Sequence, residues 1–411
     1  MTPLIVFSHL RWDFVYQRPQ HLLSRLARRR PVLFVEEPVP RSPRNWLEQQ
    51  SPVEGVRVLR PHVTGTADGF ADEHVPTLRR MVGSVLRELA IDDYLVWFYT
   101  PMALPLADGL EPRGVVYDCM DELSAFRFAP PQLVQRETRL LREADLVLTG
   151  GPSLHASKRA LRPDVHCFPS SVDAGHFGQQ LHEHPSQFPL PHPRLGYYGV
   201  IDERLDLQLV AALADAHDDW QVVMVGPVVK IDPASLPRRD NLYWLGKRDY
   251  AELPAHLVGW DVCLMPFALN EATRFISPTK TLEYLAAGRP CVSTSVRDVV
   301  ELYSGAVSIA DGPRDFVRAC EQILRWTNSD RVRFRQRARE IVERSSWDLT
   351  VANIERLLER FDRPLKPVVG VEADSDVDPD LDTEVDAAVA VGANADRETA
   401  VALAGPSAAT N

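Results

Sequence analysis

"RLGYYGVIDERLDLQLVAALADAH", Arg194–His217, runs from an apolar strand through Gly199 into apolar residues at helical spacing. A strand that leads directly into a helix is half of a βαβ unit, and the following residues repeat it. "WQVVMVGPV", "NLYWLG", "DVCLMPF" and "PCVSTS" read as buried strands. Helices fall over "DYAELPAHLVGW", "SPTKTLEYLAAG" and "VRDVVELYS", with more from Arg314 to about Phe361. Near-continuous apolar strands separated by helices predict a parallel sheet covered on both faces.

The N-terminal half carries the same pattern. Strands are expected at "PLIVFSHL", "PVLFVEEP", "DYLVWFYTP", "GVVYDCMDE", "ADLVLTGGPS" and "DVHCFPS", and helices at "RPQHLLSRLARR", "HVPTLRRMVGSVLRELA", "PQLVQRETRLLREA" and "SLHASKRALR". Between the halves, Gln179–Pro193 is rich in His and Pro and has no periodicity, as a linker would be. The expected fold class is α/β: two tandem doubly wound, Rossmann-like domains over residues 1–185 and 186–345, facing each other across a cleft. A terminal helix over 346–362 is expected to pack back toward the first domain, followed by an acidic, disordered tail over 363–411.

Composition narrows the function classes. The 411 residues are 45% hydrophobic and 25% charged, enough chain for two globular domains. Residues 365–411 hold ten acids and two bases, so only −3 of the net −11 falls on residues 1–364, a balance that offers nucleic acid no basic surface. No apolar run reaches the roughly 18 residues of a membrane span. The N-terminus lacks a signal-peptide pattern, so the expected location is cytoplasmic. Attachment to the inner face of the membrane is an alternative, through the basic segments Arg25–Arg30 and Arg79–Leu89. Five scattered cysteines without a CxxC pair read as reduced core residues, and no metal site is expected.

Two strand-to-helix turns carry misplaced cations. In "SPTKTLEYLAAGRP", Ser277 is a suitable N-cap, Pro278 suits the first helical position, and Gly288 supplies the stop. Lys280 then sits in the first turn against the positive end of the helix dipole, which costs about 0.3–1 kcal/mol unless an anion is bound there. Glu283 shares its face at i+3, so the pair either faces a ligand or forms a solvated ion pair. In the turn after Gly199, Asp202 reads as an N-cap and Arg204 as a second first-turn cation. A phosphate pair between Arg204 and Lys280 would account for both. G-x-G-x-x-G and Walker motifs are absent, and no Asp-x-Asp lies in residues 1–362.

With these residues in view, the chain resembles GT-B glycosyltransferases, in particular bacterial family 4 enzymes and the teichuronic acid biosynthesis transferases. The resemblance rests on "GYYGVIDERLD", "VVMVGP", "NLYWLGKRDYAELP", "SPTKTLEYLAAGRPCV" and "FPSSVDAGHF". It implies a nucleoside diphosphate sugar donor in the second domain and a polysaccharide, lipid-linked or other envelope acceptor in the first, with no cofactor. Glu283 matches the glutamate that holds the donor ribose in relatives. Gly199, Arg204, Lys247, Ser277 and Lys280 complete the implied donor set. One departure is clear: relatives that retain anomeric configuration carry Glu-x7-Glu, and the first position here is Phe275, with Glu271 the nearest substitute. An inverting reaction needs a base, and Asp13, Asp118 and Asp121 follow first-domain strands. His9, Trp12, Arg18 and His21 are the corresponding acceptor-side candidates. A nucleotide-sugar epimerase of the same fold, or a non-catalytic scaffold, are the competing readings.

Overall fold

A computed structural model describes residues 1–362; the expected acidic tail lies outside the described residues. The first lobe is built on an eight-stranded sheet: β1 Leu4–Ser8, β2 Val32–Glu36, β3 Trp46–Val53, β4 Val56–His62, β5 Leu95–Phe98, β6 Gly114–Cys119, β7 Leu146–Thr149 and β8 His166–Cys167. Their order is β3-β4-β2-β1-β5-β6-β7-β8, and every neighbouring pair is parallel except β3 with β4. β3, "WLEQQSPV", is largely exposed and polar, so no apolar run announced it. A polar, exposed antiparallel strand at the edge discourages unwanted pairing.

The second sheet contains β9 Arg194–Tyr198, β10 Gln221–Val225, β11 Leu242–Trp244, β12 Val262–Met265, β13 Cys291–Ser293 and β14 Ser308–Ile309. Its order, β11-β10-β9-β12-β13-β14, is all parallel. The crossover reverses direction between β9 and β12, so ligands are expected at the carboxyl ends of those strands. Val222, Val223, Met224, Cys263 and Leu264 are fully buried, as strands covered on both faces require.

The lobes are joined closely. The Gln179–Pro193 segment is not a loose linker: Gln187 is buried, accepts from Trp260 Nε1 at 2.6 Å and donates to the His256 carbonyl. The helix Trp347–Leu358 returns to the first sheet, where Trp347, Val351, Ile354 and Leu358 join Leu22, Leu23 and Leu26 in one core. Each such side chain, fully buried, contributes about 1.5–3 kcal/mol. The basic Arg25–Arg30 run serves this docking: Arg25 pairs with Asp348, Arg29 with Glu355, and the fully buried Arg30 with Asp362. Those cations are therefore not a free membrane face. The helix Val75–Glu88 likewise turns Val75, Leu78, Val82, Val85 and Leu86 into the core. Among the described residues, no helix is long and apolar enough to cross a membrane.

Candidate active site

The donor-side candidates converge at the carboxyl ends of β9 and β10. β9 ends at Tyr198, and Gly199 follows with φ +141°, a conformation that favours glycine. The Lys280 side chain lies against Gly199 so closely that a Cβ there would overlap its Cε. Lys280 begins the helix Lys280–Ala286, preceded by Thr279 in helical conformation. Ser277 is thus not the N-cap; its hydroxyl is buried and caps no helical N–H. Arg204 is also displaced from its expected place. The helix Leu207–Ala216 is capped by Asp206, which accepts from the Leu209 N–H. Asp202 instead grips Arg204, accepting from its Nε at 2.9 and 3.0 Å and from Nη2 at 2.7 Å. Arg204 is therefore fixed by a short loop rather than by a helix start.

The electrostatics are unbalanced. Lys280 makes no ion pair among the described residues. Its nitrogen stands 5.8 Å from the Tyr197 ring centroid. Burial lowers its pKa; Glu283, Asp202 and Asp121 oppose that, while Arg204 adds to it. Glu283 is buried and accepts from the Tyr198 hydroxyl. Burial raises its pKa, against the Tyr198 hydrogen bond and the Lys280 charge. Lys280, Arg204 and Glu283 all line one cavity of about 320 Å³, together with Gly199 and Tyr198. Trp12–Gln17 close it from the first lobe, and Lys247–Tyr250 from the second. A smaller cavity of about 100 Å³ adjoins it, sharing Gln17, Arg204, Thr279 and Lys280, and adding Arg18, Met120, Asp121, Gly150 and Ser277.

The three candidate bases fare differently. Asp118 is fully buried and held by Arg18, whose Nε reaches both carboxylate oxygens at 3.1 Å and whose Nη2 reaches Oδ1 at 2.9 Å. Arg18 also donates to the Phe168 carbonyl. Asp118 as base and Arg18 as a free acceptor contact are both set aside, because each is committed to the other. Asp13 is exposed and paired with Arg60 at 2.9 Å. Burial would raise its pKa, but the Arg60 hydrogen bond and charge prevail and lower it, leaving a weak base. Asp121 makes no side-chain hydrogen bond or ion pair among the described residues, and it lines the smaller cavity. Burial lifts its pKa to about 6, against Arg204, Arg18 and Lys230.

Of the acceptor-side candidates, Trp12 lines the large cavity. Its loop is pinned to the buried Glu36, which accepts from the Trp12 N–H at 2.8 Å and from Arg11 at 2.9 Å. His21 is a packing residue: it is buried, stacked on Trp347 at 4.7 Å, and held neutral with a pKa near 3 by burial, Arg25 and His176. His9 lines neither cavity; burial and then Lys230 pull its pKa to about 4. Lys247 is exposed, reaches the Asp13 carbonyl at 3.5 Å and lies over the Phe14 ring, so it bridges the lobes at the cavity wall. Phe275 packs on the first-lobe core, and Glu271 is exposed, pairs with Arg274 and lines neither cavity. Sequence reasoning missed Phe126, whose ring lies 5.6 Å from the Arg204 guanidinium and 5.1 Å from Lys230. That contact crosses between lobes, and no local pattern signals it.

Residues 193–325 match the family model described as glycosyl transferases group 1. A teichuronic acid biosynthesis glycosyltransferase, TuaH of Bacillus subtilis (strain 168), is 27% identical over 274 residues, covering 61% of this chain and 68% of that protein. Among solved structures, sucrose-phosphate synthase from Thermosynechococcus elongatus superimposes with a TM-score of 0.66 at 16% identity, over 88% of this chain and 99% of that one. Anabaena Alr3699/HepE, solved with UDP and glucose, gives 0.62 at 13% identity, over 88% of this chain and 100% of the other.

Proposed function

We propose that this glycosyltransferase of the GT-B fold takes its sugar from a nucleoside diphosphate sugar bound in the 320 Å³ cavity and passes it to an envelope polysaccharide or lipid-linked acceptor. The observation that carries the donor is the meeting of Lys280, Arg204 and Glu283 in one cavity beside the sheet's switch point, all within the matched residues 193–325. An ammonium that makes no ion pair among the described residues, in the same cavity as a fixed guanidinium, suits a diphosphate, and a buried carboxylate suits two vicinal ribose hydroxyls. The relative solved with UDP and glucose supports a nucleotide donor, and the name of the Bacillus relative supports an envelope acceptor. No cofactor enters this reading.

With the diphosphate against Lys280 and Arg204, the transferred sugar extends into the smaller cavity that holds Asp121. The acceptor hydroxyl attacks the anomeric carbon, the bond from that carbon to the β-phosphate oxygen breaks, and the hydroxyl proton passes to the Asp121 carboxylate. Lys280 and Arg204 neutralise the charge that grows on the leaving nucleoside diphosphate. A base near pKa 6 is ionised at neutral pH yet still able to accept a proton in the transition state. With Phe275 in place of a carboxylate, this displacement inverts the anomeric centre. Thermal-shift screening with UDP, GDP, ADP and dTDP tests the donor: stabilisation by one of them is expected, and indifference to all four contradicts the reading. Proton NMR of the product anomer then tests inversion.

A further inference from the structure

The helix Pro152–Arg159 of the first lobe starts without a cap of its own. Its N-cap is Gly151, which has no side chain, and its first-turn amides have no intrahelical acceptor. The second lobe supplies one: the Asp298 carboxylate, on the helix Arg297–Tyr303, accepts from the Ser153 N–H at 3.0 Å. Asp298 is fully buried. A Cβ at Gly151 would collide with Asp298 Oδ2 and crowd Ser277, so glycine at this position is the room the carboxylate occupies. Asp298 Oδ2, Ser153 Oγ and Ser277 Oγ are all buried and meet no hydrogen-bond partner among the described residues. Beside them Ser170 donates to the Ser277 carbonyl at 2.9 Å, again from one lobe to the other.

These groups touch both ends of the proposed chemistry. Ser277 leads through Pro278 and Thr279 to Lys280. Gly150 sits under the Met120 carbonyl, where a Cβ would again collide, and Met120 precedes Asp121. Gly150, Met120, Asp121 and Ser277 line the same small cavity. We propose that Asp298 is a positioning residue that pins the two lobes by capping a helix of the opposite lobe, and so sets the separation between Asp121 and the donor helix. Its consequence for catalysis rests on the donor-site reading above; the pin itself does not. Burial raises the Asp298 pKa, against its bond from the Ser153 N–H, as expected of a carboxylate enclosed between protein surfaces.

Hydrogen exchange on the full chain, read on peptides covering 150–160 and 114–126, tests the pin without any ligand. Asp298→Ala is expected to speed exchange of the Ser153 amide about tenfold or more, and to loosen the peptide carrying Asp121. Asp298→Asn, whose side-chain oxygen accepts the same N–H, restores both. Gly151→Ala displaces the carboxylate and exchanges as fast as Asp298→Ala, and the double variant is no faster than either. Wild-type exchange in Asp298→Ala overturns the pin, as does additive acceleration in the double variant. Should no nucleoside diphosphate bind the wild-type protein, the donor reading fails while these exchange results stand.

Discussion

The two lobes differ in one buried cation. In the first, buried and half-buried cations are neutralised within the lobe: Arg18 by Asp118, Lys158 by Glu122 and Glu137, and Arg60 by Glu36 and Asp13. In the second, Arg204 is paired with Asp202, but Lys280 makes no ion pair among the described residues and stands near a buried carboxylate that accepts from the Tyr198 hydroxyl. A lobe that pairs its buried charges avoids the cost of leaving them uncompensated, whereas a lobe that leaves one unpaired holds it ready for a ligand. Asp121 is the first-lobe exception, and it faces the second lobe's cations.

Mutations at the two kinds of site should therefore separate activity from stability. The largest effect is expected at Asp121→Asn: turnover falls by about 10²–10⁴-fold with nucleoside diphosphate affinity unchanged, as measured by steady-state transfer and calorimetry. Equal losses in both would break the assignment of Asp121 to chemistry. Next comes Asp118→Asn, which leaves Arg18 buried against a neutral partner. Chemical denaturation should show a loss of about 3–5 kcal/mol. Lys280→Met is the counterpart in the second lobe. It removes a desolvated cation that makes no ion pair among the described residues, so stability is expected to hold or rise while nucleoside diphosphate affinity falls about 10–100-fold. A large stability loss at Lys280→Met would erase the contrast between the lobes.

A pH experiment sharpens the first-lobe side. His21 has a folded pKa near 3 against an ordinary 6.5, so between those values the unfolded chain binds more protons. Its contribution is complete above about pH 6.5 and is lost as pH falls toward 3. Asp121 and Glu37, raised to about 6 and about 7, act in the opposite direction, losing stability as pH rises through those values. Comparing thermal midpoints of the wild type and His21→Phe cancels them. The wild type should lose more stability than the variant between pH 6.5 and pH 4.5. The smallest effect is expected at Asp13→Asn, whose exposed pair with Arg60 contributes under about 1 kcal/mol by denaturant titration.

Much of this was legible in the sequence where periodicity and local chemistry coincide. The apolar strand runs, the Lys280–Glu283 spacing and the turn at Gly199 all depend on neighbours within a few residues. What escaped depended on distant partners. Asp118 and Asp121 are three residues apart and chemically alike, yet only Asp118 meets Arg18, 100 residues away. Asp202 and Asp206 both precede a helix, and the loop's path decides that Asp206 caps it while Asp202 holds Arg204. β3 lacked an apolar run because it lies at an exposed edge. Phe275 and Phe126 interact across the lobes, and Asp298 caps a helix 145 residues earlier in the chain.

The central claim is that the second lobe's unpaired charge is a diphosphate site. Isothermal titration of UDP, GDP, ADP and dTDP into the wild type, Lys280→Met and Glu283→Gln tests it most directly. At least one nucleotide should bind the wild type, with Lys280→Met weakening it about 10–100-fold and Glu283→Gln weakening it through the ribose. Wild-type affinity in both variants would contradict the account.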